Sequence, residues 1–123
     1  MSVAMDRTTF EGLVSQALEE LPEQFLNKLE NVDLVVESWP SQQTLTSLGM
    51  RAGGLLFGLY QGVPKTKRTG STLLPDKITI FAGPILLVSK NPEEVKAKVE
   101  EVVRHEIAHH FGLSERSIRK TGH

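Results

Sequence analysis

Apolar residues recur along this chain at two spacings, and the change from one to the other divides it into elements. Phe10, Leu13, Val14, Ala17, Leu18 and Leu21 fall three and four positions apart, which on a helix of about 3.6 residues per turn makes one continuous stripe. Thr8 or Thr9 is placed to cap that helix. Pro22 suits the first turn of a second, short helix carrying Phe25, Leu26 and Leu29 inward. These positions read as core. The segment Val32-Asp33-Leu34-Val35-Val36-Glu37 is short, β-branched and apolar, and predicts a buried strand that Trp39-Pro40 ends.

Residues 41–53 are rich in Ser, Gln, Thr and Gly and read as a polar connection of weak structure. Residues 54–62 read as a second strand whose glycines allow close backbone approach. The loop that follows clusters Lys65, Lys67 and Arg68, either an anion contact or a solvated loop tip. Residues 77–81 alternate as a third strand, interrupted at Gly83-Pro84. Ile85 to Val88 is then either its continuation beyond a kink or a buried irregular crossing. Asn91-Pro92-Glu93-Glu94 marks a helix start, with a cap, a first-turn proline and two acids at the positive end of the dipole. This helix is expected over residues 92–111, stopped by Gly112. Two N-terminal helices, a strand-rich middle and one long C-terminal helix predict an α+β fold.

Composition narrows the function classes. The chain has 123 residues, enough for a single domain over 1–123. With 14 Lys and Arg against 15 Asp and Glu the net charge is -1, which argues against an extended nucleic-acid surface. There is no cysteine, so neither a disulfide framework nor a thiolate metal site can form, and any metal is left to His, Asp or Glu. No apolar run has signal-peptide or membrane-span length. The expectation is a cytoplasmic monomer that engages neither nucleic acid nor membrane.

Against this plain background one stretch stands out. Residues 105–115 read H-E-x-x-H-x-x-G-x-x-E, and three of the four histidines of the chain lie between positions 105 and 110. Positions i and i+4 of a helix lie one above the other, so His105 and His109 converge on a single ion. Glu106 falls in the middle of the stripe of Val95, Val99, Val102, Val103 and Leu113. A carboxylate at the centre of an apolar face is costly without a partner. Zn2+ held by two histidines takes a third protein ligand and leaves a fourth position open. Gly112 lets the chain turn out of the helix, which makes Glu115 the leading third ligand, with His110 and His123 as competitors.

The same residues resemble a family. Leu74-Pro75-Asp76-Lys77-Ile78, Gly83-Pro84-Ile85, Gly58-Leu59-Tyr60-Gln61-Gly62 and the ending His-Glu-Ile-Ala-His-His-Phe-Gly at residues 105–112 are similar to elements shared by small bacterial zincin-like metallopeptidases. The resemblance runs from about Phe10 to Gly122. It implies a minimal zincin-like fold, a small mixed twisted sheet with the active helix beneath it, in which His105 and His109 bind zinc, Glu106 is the catalytic base and an acid completes the site. That acid is usually Asp in the family and is Glu115 here, one methylene longer. The aromatic residue usual at the end is replaced by His123, and no methionine follows the motif as it does in the larger metzincins.

The expected activity is hydrolysis of peptide bonds in a peptide or protein substrate by a zinc-activated water, with Glu106 as general base. An extended peptide would pair with a sheet edge, for which residues 77–81 and 54–61 are the candidates. Tyr60, His110 and Arg116 are the candidate oxyanion donors. Two rival readings stand beside it. One is a metal-binding regulatory or interaction protein of the same fold without turnover. The other is an anionic-ligand module built on Lys65, Lys67, Arg68, Arg116, Arg119 and Lys120, which the near-neutral charge disfavours.

Overall fold

The computed structural model describes residues 3–26, 32–51, 53–62 and 76–110. The first helix, α1, spans Arg7–Glu19 and buries Phe10, Val14 and Ala17, the stripe that the spacing predicted. Its cap is Asp6 and not Thr8 or Thr9. The Asp6 carboxylate accepts the Thr9 N–H at 2.7 Å, so both threonines fall inside the first turn. A hydrogen bond from the Thr9 hydroxyl, and with it the one from this N–H, holds the Asp6 carboxyl below its ordinary pKa. Helix α2 is the short Glu23–Leu26, whose first turn closes on the Pro22 carbonyl through the Phe25 N–H at 2.9 Å.

Among the described residues three strands form one sheet. Strand β1 is Val32–Glu37, β2 is Gly58–Gln61 and β3 is Asp76–Phe81. Their order is β1-β3-β2, with β1 parallel to β3 and β2 antiparallel to it. The register sets Leu34 opposite Ile78 and Val36 opposite Ile80. Because side chains alternate along a strand, these four share one face. Ile78 and Ile80 are fully buried there in a core that includes Phe10, Val14 and the valines of the last helix. Residues 77–81 are a candidate sheet edge from the sequence, but β3 lies between its two neighbours, which leaves β2 and β1 as the outer strands among the described residues. The Arg7 guanidinium of α1 donates to the Val36 carbonyl of β1.

Two segments form helices where the sequence pattern predicts none. In the stretch read as a polar connection, α3 spans Gln42–Ser47. The Ser41 hydroxyl accepts the Thr44 N–H at 3.0 Å at its start. At its end Gly49 takes φ +74, while the Met50 N–H returns to the Leu45 carbonyl at 2.8 Å and the Gly49 N–H to Thr46 at 3.0 Å. This is a Schellman closure, which needs a residue free of the left-handed penalty. Immediately after β3, α4 spans Ala82–Val88. It is neither a continued strand nor an irregular crossing. Pro84 is its third residue, where the missing N–H would have had no acceptor inside the helix in any case.

The last helix, α5, runs over Pro92–His110. Asn91 caps it, accepting the Glu94 N–H at 2.8 Å, and the Glu94 carboxylate reaches back to the Lys90 N–H at 2.8 Å. Helix α1 packs on α5, and α5 in turn packs on β2 and β3. The result is an α+β fold with a small mixed sheet and the long helix across one of its faces. Among the described residues no helix is long and apolar enough to cross a membrane.

Candidate metal centre

Helix α5 is built on two adjoining strips. Val95, Val99 and Val103 are completely buried, and Val102 and Ile107 nearly so. Their steps of three and four carry the strip along the sheet and core. One position round the helix, His105 and His109 are exposed. Their Nε2 atoms stand 3.0 Å apart, with ring centroids 4.6 Å apart.

That separation suits a shared cation. Zinc takes imidazole nitrogen at about 2.0–2.1 Å in tetrahedral sites, which places two such nitrogens roughly 3.3 Å from each other. The two rings need move by only a few tenths of an ångström, and neutral imidazole is a preferred zinc donor. Among the described residues no cluster of three or more His, Cys, Asp and Glu is arranged around one metal position. The residue expected to be third, Glu115, lies outside the described residues, as do Arg116 and His123. His110 ends α5, but its side chain is not among those described.

Glu106 sits on the buried strip, 8% exposed. Burial raises its pKa above the usual carboxylate value. The nearby His109 and His105, and a hydrogen bond from the Tyr60 main-chain N–H, pull the other way. The carboxylate is therefore within electrostatic reach of both histidines while it rests against β2. Gly58 makes that approach feasible. A Cβ at Gly58 would lie 2.7 Å from Val102 Cγ1, 3.1 Å from Glu106 Cγ and 3.4 Å from Glu106 Oε2. The strand carries a hydrogen atom where any side chain would collide with the helix.

Tyr60 also acts through its side chain. Its hydroxyl donates to Asp76 Oδ2 at 2.8 Å, and Asp76 is 4% exposed. From the sequence Tyr60 was a candidate oxyanion donor and Asp76 only part of a strand entry. The structure joins them as a tyrosine–carboxylate pair bridging β2 and β3. A buried acid at the first residue of a central strand was the available signal, since such an acid needs a partner. Lys65, Lys67 and Arg68 lie outside the described residues.

Comparison with known proteins bears on this geometry. The sequence model of a family described as zincin-like metallopeptidase matches residues 29–123, a span that contains all three strands, the two histidines and Glu106. Among solved structures the chain is similar to a conserved hypothetical protein from Thermus thermophilus, with 27% identity and a TM-score of 0.63, over 87% of this chain and 94% of that one. No curated protein shows significant similarity.

Proposed function

The chain belongs to the zincin-like metallopeptidase family, and from that premise we propose that it hydrolyses peptide bonds, with His105, His109 and Glu115 holding zinc and Glu106 as the general base. The observation that carries the proposal is the pair of exposed imidazoles whose Nε2 atoms converge to 3.0 Å beside a buried carboxylate. Glu115 enters on its place in the motif and on ligand chemistry. Zinc bound there would supply Lewis acidity that polarises a carbonyl and makes water a competent nucleophile near neutral pH.

The rest of the chemistry falls to the protein's own groups. Glu106 holds and moves the proton: its carboxylate accepts one as the nucleophile forms and donates it to the departing amine. A pKa raised by burial brings it nearer the working pH and makes both transfers easier. The substrate is a peptide or protein segment in extended form, lying along β2, the outer strand next to α5.

A second reading, a metal-binding regulatory protein without turnover, is favoured by one observation. The Tyr60 hydroxyl, a candidate oxyanion donor, is already committed to Asp76. Metal content and hydrolysis of a broad peptide library, measured for the wild type, His105→Ala and Glu106→Gln, separate the readings. The hydrolase predicts about one zinc and cleavage in the wild type, loss of both in His105→Ala, and zinc retained with cleavage down by roughly 10²-fold or more in Glu106→Gln. Zinc without cleavage in the wild type supports the second reading. A wild type that takes up no zinc after reconstitution rejects both.

A further inference from the structure

Strand β2 ends the sheet on one side among the described residues. The Phe81 N–H donates to the Phe57 carbonyl at 2.9 Å, so residues 57 and 81 face each other as a hydrogen-bonded pair. The register then makes Gly58 with Ile80 an intervening pair, and the main-chain polar groups of Gly58 turn away from β3. An added strand pairs with groups so placed, and β2 begins at Gly58. One residue earlier stands a cation. Lys98 Nζ lies over the Phe57 ring, 4.3 Å from its centroid. Its side chain is 26% exposed, and its ion-pair partner among the described residues is the more exposed Glu101, at 3.4 Å. The ring holds the ammonium in place, while an exposed carboxylate at that distance neutralises it weakly. Lys98, Val102 and Glu106 recur at every fourth residue of α5, which stacks them along one side of the helix, about 12 Å from first to last. That side meets β2, since a Cβ at Gly58 would touch Val102 and Glu106. Helix and strand thus set a cation at the start of β2 and a carboxylate farther along it.

We propose that Lys98 is a specificity-determining residue that receives the C-terminal carboxylate of a peptide lying along β2. Antiparallel pairing is the commoner and slightly the more stable arrangement. A peptide added in that sense runs from Gln61 toward Phe57, so its C-terminal end arrives at Lys98. A parallel peptide would bring an N-terminal ammonium to the same place, where the like charge repels it. Before Gly58 the pairing groups of β2 give way to a positive charge. A chain end suits that change, because it needs no further pairing and carries a negative charge. An extended chain covers about 12 Å in three or four residues. Cleavage opposite Glu106 would therefore release C-terminal tri- or tetrapeptides, water adding across the bond to leave a new carboxylate on the body of the substrate and an amine on the released piece. The product length rests on the hydrolase reading above; the recognition of the carboxylate does not. The substrate class that follows is peptides with a free C-terminus.

Calorimetric binding to the full-length protein without added metal tests the recognition. The probes are N-acetylated hexapeptides of mixed uncharged sequence, made as free acids and as C-terminal amides. Wild type should bind the acids about threefold or more tightly than the amides, a modest factor because the ammonium is partly exposed. In Lys98→Met, which keeps a stem over Phe57, the two forms should bind equally, and Lys98→Arg should restore the preference. Equal binding of acids and amides by wild type overturns the proposal. So does a Lys98→Met variant that weakens both forms alike, the mark of a merely structural role. Amides carrying Asp at one of the last four positions are the control for side chains: if they bind as tightly as the free acids, and lose that affinity in Lys98→Met, the cation reads a side chain and the proposal fails. Cleavage is read separately with zinc-loaded wild type, whose products from the free acids should be C-terminal fragments of three or four residues by mass spectrometry. An acid preference that depends on Lys98, without any cleavage, rejects the hydrolase and keeps the carboxylate site. Cleavage of acids and amides alike, at positions unrelated to the C-terminus, keeps the hydrolase and rejects the role of Lys98.

Discussion

At Glu106 the needs of the fold and of the proposed chemistry conflict. A carboxylate on a buried strip is costly, and its raised pKa expresses that cost. Because the folded-state pKa lies above the unfolded one, the favourable contribution belongs to the protonated form: it is fully present below the ordinary glutamate value and lost as pH rises through the raised one. Metal-free Glu106→Gln should accordingly be more stable than wild type at pH 8, by about 1–2 kcal/mol, with the gap closing toward pH 4. Thermal melts at the two pH values check this, and a wild type that is the more stable at pH 8 contradicts it. Much of this was legible in the sequence, because a 3.6-residue period places a carboxylate at 106 among Val99, Val102 and Val103 whatever the rest of the fold does. The approach of Glu106 to β2 at Gly58 was not legible, because it is set by pairing and packing between elements distant in sequence.

Among the elements, β1 and α5 formed where their patterns placed them, because a β-branched run and an Asn-Pro-Glu-Glu start are local signals with local causes. Helices α3 and α4 did not declare themselves. In α3 only Leu45 is buried, so there is no period to read, and the helix rests on the Ser41 cap and the Gly49 closure. Replacing Ser41 by Ala should cost about 0.5–2 kcal/mol in denaturant unfolding. In α4, Ile85 is fully buried while Leu87 and Val88 are exposed; four consecutive apolar residues wrap the whole helix and conceal its period. The contact between α5 and β2 carries a sharper expectation. Gly58→Ala places a methyl 2.7 Å from Val102 Cγ1, a position that forces strand and helix apart. Overpacking of this kind costs about 1–3 kcal/mol. Val102→Ala should recover part of that loss in the double variant, and additive losses in a double-mutant cycle would show that the clash is relieved elsewhere.

For the whole molecule, the core joins α1 to α5 across the face of the sheet that carries Ile78 and Ile80. Phe10, with no exposed surface, is the largest side chain at that junction, and Phe10→Ala should lower unfolding free energy by about 3–5 kcal/mol. That is a large share of the roughly 5–15 kcal/mol usual for a domain, and circular dichroism melts should show the variant partly unfolded at body temperature. The α+β class was legible because it depends on the sequence of elements. The strand order was not, since no local pattern says that the last strand enters the middle. That order has a kinetic consequence. Gln61 pairs with Lys77, whereas Val32 pairs with Asp76, so β2 and β3 close a short loop and β1 joins them only across a much longer one. Loop-closure entropy and contact order place the β2–β3 pair, with the helix that follows it, early in folding and β1 late. Truncating Ile78 should then slow refolding, while truncating Val36 should mainly speed unfolding. The histidines, Glu106 and the strand that holds it would be assembled before the N-terminal half of the sheet is complete.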